Sequence, residues 1–411
     1  MMTDSPFIKA KAARLCQALA SSVFWIERFS KLGMPLPKDL NEILKSPTIS
    51  KSDLVQNQGA FPPLGTIPNG PVSRWHQSSG TLGNPLGWGD STGDWERLLS
   101  IWNTLYDIAG IQKSDKLLFP FSFGPFLGFW SAFEAATRLG FFCVAAGGLS
   151  TQARIRMIER HGITVMLATP SYALHMAEVG AGQGISMQQT PVNTLILAGE
   201  PGANRPSLRN RIENAWGARV LDHYGMTETG PVSMECRYNP GIIHVATDSY
   251  ICQVIDSNTD QEVDEGELVL TPFDRLTMPL IRYRTGDLVK RHNEICPCGR
   301  DLLSFSGGIR GRLDDMLIIR GNNIHPEAIE NWLWSQAGVA EFRVEVIHTS
   351  GMTQIRLVVE ADKESDPAWL QDKIHSGFQE RFLFKADVKI AEIPLERYEM
   401  KARRFKKLNN P

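Results

Sequence analysis

Between about residues 90 and 220, short apolar stretches alternate with helical ones, and this alternation leaves few folds open to the chain. Helical patterns at 94–111, 128–139, 151–161 and 207–216 are interleaved with apolar runs at 116–120, 141–145, 164–168 and 194–198. Short apolar strands separated by helices are buried on both faces, which predicts a parallel sheet between two helical layers. The fold class expected is therefore α/β.

The flanking regions differ in texture. Apolar residues at helical spacing run from 7 to 33 (Leu15, Ala18, Leu19, Val23, Ile26, Phe29) and stop at Gly33, with Pro35 and Pro37 beyond. They read as one helical arm. After Ser233 the chain turns β-rich, with strands expected at 250–256, 267–271 and 280–283. The tail reads strand 316–320, helix 326–336, a hairpin of 342–348 and 354–360, helix 367–384 and strand 388–393, a compact βαββαβ unit. The division expected is a large unit over 1–311 (arm 1–70, α/β core 71–232, β-rich part 233–311) and a small C-terminal unit over 312–411.

With 411 residues the chain can bury a large core, and 43 basic against 45 acidic residues argue against nucleic acid or an anionic membrane as partner. No apolar run approaches a membrane span, and Asp4, Lys9, Lys11 and Arg14 make a poor signal peptide, so a cytoplasmic protein is expected. Cys16, Cys143 and Cys252 lie in apolar contexts and read as small buried hydrophobes. Cys296 and Cys298, in Ile-Cys-Pro-Cys-Gly-Arg, instead place two thiols on a tight turn, like half a metal site.

Several short segments carry chemistry. Ser78-Ser79-Gly80-Thr81-Leu82-Gly83-Asn84-Pro85 packs hydroxyls and glycines as an anion cradle does, without the Gly-Lys-Ser/Thr ending of a Walker loop. Such clusters are also ordinary loops. Gly199-Glu200-Pro201 follows an expected parallel strand at its carboxyl edge, where open α/β sheets bind ligands. Asp222-His223-Tyr224-Gly225-Met226-Thr227-Glu228 follows a short strand at 219–221, and its Glu228 suits a magnesium ion bridging phosphates. Arg282-Tyr283-Arg284-Thr285-Gly286-Asp287 ends a strand in an acid able to accept ribose hydroxyls, with Arg282 readable as a surface ion-pair partner. Each segment alone is also a common turn.

Taken in order, these motifs, with Cys-Pro-Cys-Gly-Arg, Gly311-Arg312-Leu313-Asp314-Asp315 and the late Lys401, resemble the phenylacetate–CoA ligase branch of the adenylate-forming enzymes. The similarity runs from about Phe24 to Arg404. It implies ATP-dependent activation of a carboxylic acid to an acyl-adenylate, then transfer to coenzyme A as the small domain rotates. By this resemblance Ser78, Ser79, Gly80, Thr81 and Gly83 hold the β- and γ-phosphates. Gly199, Glu200, Pro201, Asp222, His223 and Tyr224 line the adenine side, with Gly225 and Met226 beside them. Thr227 meets the α-phosphate and Glu228 the magnesium. Asp287 is the ribose acid, Arg312 a nucleotide contact, Asp314 the hinge, and Lys401 reaches the reacting carboxylate. Asn84 and Met400 stand where the family commonly has lysine and glycine.

The resemblance also groups Cys236 and His244 with Cys296 and Cys298 as a structural zinc set. Phe123, Gly124, Phe126, Gly199 and Met226 are implied as the acyl pocket, where the phenylalanines suit an aromatic acid. Two other outcomes fit the same residues: an adenylating enzyme that passes the acyl group to an amine or carrier thiol, and a nucleotide-binding regulatory or scaffold protein. Oligomeric state is not legible in the sequence.

Overall fold

The computed structural model describes residues 5–56, 71–78, 85–121, 123–313, 315, 317–319, 322–349, 352–398 and 402–409. An arm of α1 (Pro6–Ala20), α2 (Val23–Lys31), α3 (Leu40–Lys45) and α4 (Lys51–Gln56) leads into a hairpin of β1 (Val72–Gln77) and β2 (Gly87–Ser91). The α/β core follows: α5 (Thr92–Ala109), β3 (Lys116–Phe119), α6 (Leu127–Arg138), β4 (Phe142–Ala145), α7 (Thr151–His161), β5 (Val165–Ala168), α8 (Pro170–Gly182), β6 (Thr194–Leu197), α9 (Pro206–Trp216) and β7 (Arg219–Met226). Next come β8 (Gly230–Glu235), β9 (Ile242–Val245), β10 (Tyr250–Ile255), β11 (Glu265–Pro272), β12 (Tyr283–Lys290), β13 (Ser304–Ser306) and β14 (Gly311–Arg312). The tail holds β15 (Leu317–Ile319), β16 (Asn322–Ile324), α10 (Pro326–Ser335), β17 (Val339–Thr349), β18 (Met352–Ala361), α11 (Pro367–Phe382), β19 (Asp387–Ile390) and β20 (Phe405–Asn409).

The central sheet has the order β13-β9-β8-β7-β6-β5-β3-β4. Its β7-β6-β5-β3-β4 part is parallel, as the alternation predicts, and β8, β9 and β13 extend it antiparallel. Successive side chains of a strand point to opposite faces. Leu117, Phe119, Val165, Leu167 and Ile196 accordingly pack with α5 and α6, while Leu118, Met166, Leu195 and Leu197 pack with α7, α8 and α9. A second sheet, β10-β11-β12-β14, is antiparallel, and a third core joins the arm to Phe273, Leu276, Met278, Leu280 and Ile281. Among the described residues no helix is long and apolar enough to cross a membrane.

Four sequence expectations change. The helix expected over 7–33 is two helices, because Ser21 bonds back to the Gln17 carbonyl and Ser22 caps α2 by accepting from Trp25 N–H. The strand expected at 280–283 is absent: that run is apolar because it packs beneath the arm, and pairing starts only at Tyr283. Arg282 is not at the surface. It is buried with φ 42°, donating to the Ser46 carbonyl (2.6 Å) and Gln253 (3.0 Å), and it ties the arm to the β-rich part. In the tail the four-stranded sheet is β19-β18-β17-β20; the first expected strand instead pairs as β15 with β16, and β20, for which no strand is expected, takes the edge beside β17. Cys16 and Cys252 are buried, Cys143 half-buried.

Helix α5 shows how sequence chemistry sets one boundary. Ser91 and Asp94 form a reciprocal capping box, and Gly110 closes the helix in the left-handed conformation. Asp94 also accepts from the Leu276 and Thr277 amides, so the cap holds a distant loop. Gly230 opens β8 at φ 94°, with a Leu98 methyl of α5 only 2.5 Å from where a Cβ would lie. Gly230→Ala is expected to destabilise the fold by about 2 kcal/mol or more; urea unfolding with an unchanged midpoint would contradict this packing.

Candidate functional site

Ser78 follows β1. Its N–H donates to the Leu86 carbonyl (2.8 Å) and its hydroxyl accepts from Leu86 N–H (2.9 Å), which closes the neck between β1 and β2. Ser79, Gly80, Thr81 and Gly83, together with Asn84, Asp314, Met400 and Lys401, lie outside the described residues. One residue back, Gln77 N–H donates to the Pro125 carbonyl (2.7 Å), joining the hairpin to the segment holding Phe123, Gly124 and Phe126.

The hairpin is anchored from behind by a contact that no local motif announces. Asp90 of β2 and Arg275 are both fully buried and meet through two parallel bonds, Nε to Oδ1 (2.8 Å) and Nη2 to Oδ2 (2.7 Å). Burial, the largest single influence, would raise the Asp90 pKa; the charge and hydrogen bonds of Arg275 together with neighbouring His76 outweigh it, and the carboxylate stays below its ordinary range. Arg275 Nη1 then donates to the Thr227 carbonyl. The loop neck and the Thr227-Glu228 turn are thus fixed to one another.

Residues 222–226 do not follow β7, as the sequence suggests; they form its carboxyl half. Tyr224 reaches across to the second sheet and donates to Asp287 Oδ2 (2.6 Å), while Arg312 of β14 donates to Oδ1 (2.8 Å). Asp287 lies within β12, not at its end, and is buried. Burial, then the Asp287 charge, pushes the Tyr224 phenol well above its ordinary pKa, so it remains a donor. Glu228 is buried beyond the end of β7, with Lys51 of α4 3.2 Å away and the Tyr283 hydroxyl at 3.4 Å. Thr227 and Met226 are half-buried, and Gly225 is exposed. Sequence reasoning names neither Lys51, Asp90 nor Arg275 and gives Tyr283, inside a motif, no role at Glu228; the charge of Asp90 is exceptional only once β2 is seen to be buried throughout.

Gly199 (φ 94°) and Pro201 are exposed at the carboxyl edge after β6, but Glu200 turns inward. Its carboxylate accepts from Ser171 N–H in the first turn of α8 (2.7 Å) and from Ala402 N–H. Beside it on β7, burial and then the Glu235 charge push the Asp222 pKa up to about 7. Burial drives the His223 pKa down to about 4; its Nδ1 lies 2.8 Å from the Ser233 carbonyl and its ring 4.6 Å from Trp102.

In the segment expected to form the acyl pocket, Phe123 packs against Phe121 (5.6 Å between centroids), Trp130 (4.9 Å) and Phe133 (5.3 Å), and Trp130 Nε1 donates to the Gly124 carbonyl. Phe123, Gly124 and Phe126 are half-buried. A separate polar cavity of about 280 Å³ lies at the opposite, amino edge of the sheet, lined by Asn193, Thr194 and Arg219 among others, and holds none of these residues.

Cys236, His244, Cys296 and Cys298 converge, their ligand atoms all within 4.8 Å of one another. Cys236 and Cys296 sulfurs are 3.7 Å apart and Cys298 Sγ is 3.4 Å from His244 Nε2. Two thiolates at zinc–sulfur bonds of about 2.3 Å in a tetrahedron lie about 3.8 Å apart, so the donor set fits zinc. Burial pushes the Cys236 thiol up to about 12 and, with Arg300 nearby, lowers the His244 pKa, which favours the neutral imidazole a metal requires. The cluster stands at the far end of β8 from Glu228, about 20 Å of strand away.

The chain matches the AMP-binding enzyme family over residues 77–271 and the AMP-binding enzyme C-terminal domain over 321–408. It is 31% identical over 349 residues to the phenylacetate-coenzyme A ligase of Pseudomonas putida, covering 82% of this chain and 77% of that protein. Among solved structures, 2-hydroxyisobutyryl-CoA ligase in the postadenylation state, in complex with R3-HIB-AMP, superposes with a TM-score of 0.88 at 27% identity, covering 97% of this chain and 89% of the other. The same ligase in the thioesterification state, with 2-HIB-AMP and CoA, covers the same shares at 28% identity but with a TM-score of 0.69. The chain belongs to the AMP-binding enzyme family, the adenylate-forming class. Within it, the chain is a phenylacetate–CoA ligase-like acid–CoA ligase, which uses ATP to activate a small carboxylic acid and passes the acyl group to coenzyme A.

The opposed shifts at Asp222 and His223 make a testable pair. Between about pH 4 and 6.5 the folded chain holds both groups neutral while the unfolded chain holds both charged, so their proton counts cancel. His223→Gln leaves Asp222 alone, with a folded pKa above its unfolded one: stability relative to wild type should fall as pH rises from about 4 to 6.5. Asp222→Asn leaves His223 alone, with a folded pKa below its unfolded one, and stability should rise from about pH 4 to 6.5. Urea midpoints across this range would show opposite slopes; parallel slopes would refute the assignment.

Proposed function

We propose that the acid is aromatic, an aryl or arylacetic acid, and that its ring lies against the half-buried Phe123–Gly124–Phe126 segment near Met226 and Gly199. The observation that carries this reading is the aromatic cluster of Phe121, Phe123, Trp130 and Phe133 directly behind Gly124, which offers a flat apolar wall. The bond from Gln77 to Pro125 sets that wall beside the neck of the phosphate loop. A carboxylate held there would be close to the leaving phosphates.

The remaining roles follow from charge. Ser78 and the loop after it receive the β- and γ-phosphates. Asp287, oriented by Tyr224 and Arg312, accepts from the ribose; a carboxylate has acceptor sites for about four hydrogen bonds. Asp222, His223 and the Gly199–Pro201 turn wall the base. An anionic carboxylate attacking an anionic phosphate needs cations to offset repulsion. Lys401 serves this at the reacting centre, and Thr227 donates to the α-phosphate. Glu228, a buried carboxylate facing the phosphate side, suits magnesium, which is usually held by one or two carboxylates plus substrate phosphate and which would neutralise charge on the phosphates. Lys51 adds positive charge at the same carboxylate.

The division into a unit over 1–311 and a mobile unit over 312–411 turning at Asp314 belongs to this proposal, as does a cytoplasmic site of action. So does zinc at Cys236, His244, Cys296 and Cys298. Its distance from Glu228 supports a structural clip holding the loop between β12 and β13, not a catalyst.

Acid-dependent ATP–pyrophosphate exchange across a panel of acids tests the substrate reading. Aryl and arylacetic acids should exceed short aliphatic acids by about tenfold or more, and coenzyme A should convert the product to a thioester. A preference for short aliphatic acids would overturn the aromatic assignment. For the metal, purified protein should carry about one zinc per chain, and Cys298→Ser should lose it and lower Tm by about 5 °C or more. Metal-free wild-type protein with the same Tm would end the zinc proposal.

A further inference from the structure

Two arginines bracket the segment that holds Lys401, and each grips the molecule in the same way. Arg397 places Nη1 and Nη2 on the two oxygens of Glu360 in β18 (2.9 Å each) and sends Nε across to Glu178 of α8 (3.0 Å). Arg404, buried against Trp334 and Phe342, places Nε and Nη2 on the two oxygens of Glu341 (2.8 and 3.0 Å) and sends Nη1 across to the Ser171 hydroxyl of α8 (3.2 Å). Between them Ala402 N–H donates to Glu200, whose other oxygen holds Ser171 N–H.

The spacing matters. Ser171 and Glu178 are seven residues apart on one helix, two turns along the same face and about 10 Å from each other along the axis. Arg397 and Arg404 are also seven apart. Two attachment points on a rigid helix define the direction of the bound segment as well as its position, and the Glu200 contact falls next to Lys401. The bidentate forks to Glu360 and Glu341 stay within the C-terminal unit, so its own fold does not require the bonds to Glu178 and Ser171. Those two bonds join the tail to α8.

We propose that Glu178 is a positioning residue for the adenylation half-reaction. With Ser171 of the same helix and Glu200 after β6 it forms a docking face that selects the orientation in which Lys401 is presented, and it acts through Arg397. The higher structural similarity to the relative's postadenylation state (TM-score 0.88) than to its thioesterification state (0.69) supports assigning these contacts to the adenylation side of the cycle. Glu178 biases the equilibrium between orientations because it contributes to one and not to the other. The inference rests on the proposed role of Lys401.

The test separates the half-reactions. Glu178→Gln should lower acid-dependent ATP–pyrophosphate exchange about two- to fivefold, as loss of a partly exposed charge pair implies. Thioester formation from supplied acyl-adenylate and coenzyme A should be unchanged or raised, with Tm nearly constant. Glu178→Lys, which sets two like charges together, should widen the gap between the two rates. If both rates fall together, or their ratio is unmoved in both variants, Glu178 is not a positioning residue. Lys401→Ala run beside them tests the underlying reading: it should reduce exchange far more than thioester formation. An intact exchange there would remove Lys401 from its role whatever the Glu178 variants show.

Discussion

The buried pair between Asp90 and Arg275 joins parts of the chain 185 residues apart, and the site is assembled around it. Taking both charges out of water costs several kcal/mol per ion, recovered only when the geometry is good and the remaining donors are satisfied. Here both oxygens of Asp90 are bonded and a further guanidinium N–H goes to the Thr227 carbonyl. A misplaced hairpin would leave a bare charge in the core, so the pair enforces one position of the β1–β2 neck relative to Glu228. The bond from Gln77 to Pro125 passes that position on to the Phe123–Phe126 segment.

Side-chain bonds to carboxylates recur at other seams of the site. Asp287 receives Tyr224 from the central sheet and Arg312 from the strand preceding the tail. Arg397 and Arg404 hold the tail's own carboxylates with their forks and reach α8 with their third nitrogen. A planar guanidinium fixes direction as well as distance, which a single ammonium does not. The chain therefore uses arginine where alignment matters. Lysine appears where positive charge is needed, as at Lys51 beside Glu228.

Much of the frame was legible because it follows local rules. The strands of the parallel sheet appeared as apolar runs, and the helices between them as helical periodicity. Helix α8 and the β1–β2 hairpin escaped notice. The helix is apolar almost all round, so its pattern lacks a polar face, and the hairpin's residues were absorbed into reading the loop between its strands. The 280–283 run reads as a strand because burial against helices and burial in a sheet produce the same apolar composition. The site residues within motifs are legible in the sequence; Lys51, Asp90, Glu178 and Arg275 are not, since each meets its partner through contacts distant in sequence.

By itself the sequence determined the order of strands and helices, the glycine-bearing turns at the sheet's carboxyl edge, and the supply of thiols and imidazole for a four-ligand cluster. These depend on backbone preference and side-chain type, which act over a few residues. Only the tertiary structure decided which charges meet, which of them are buried, and that Glu200 and Glu178 face the tail. Desolvation is the physical reason. The energy of a charged group depends on everything that surrounds it, and that environment is assembled from distant parts of the chain.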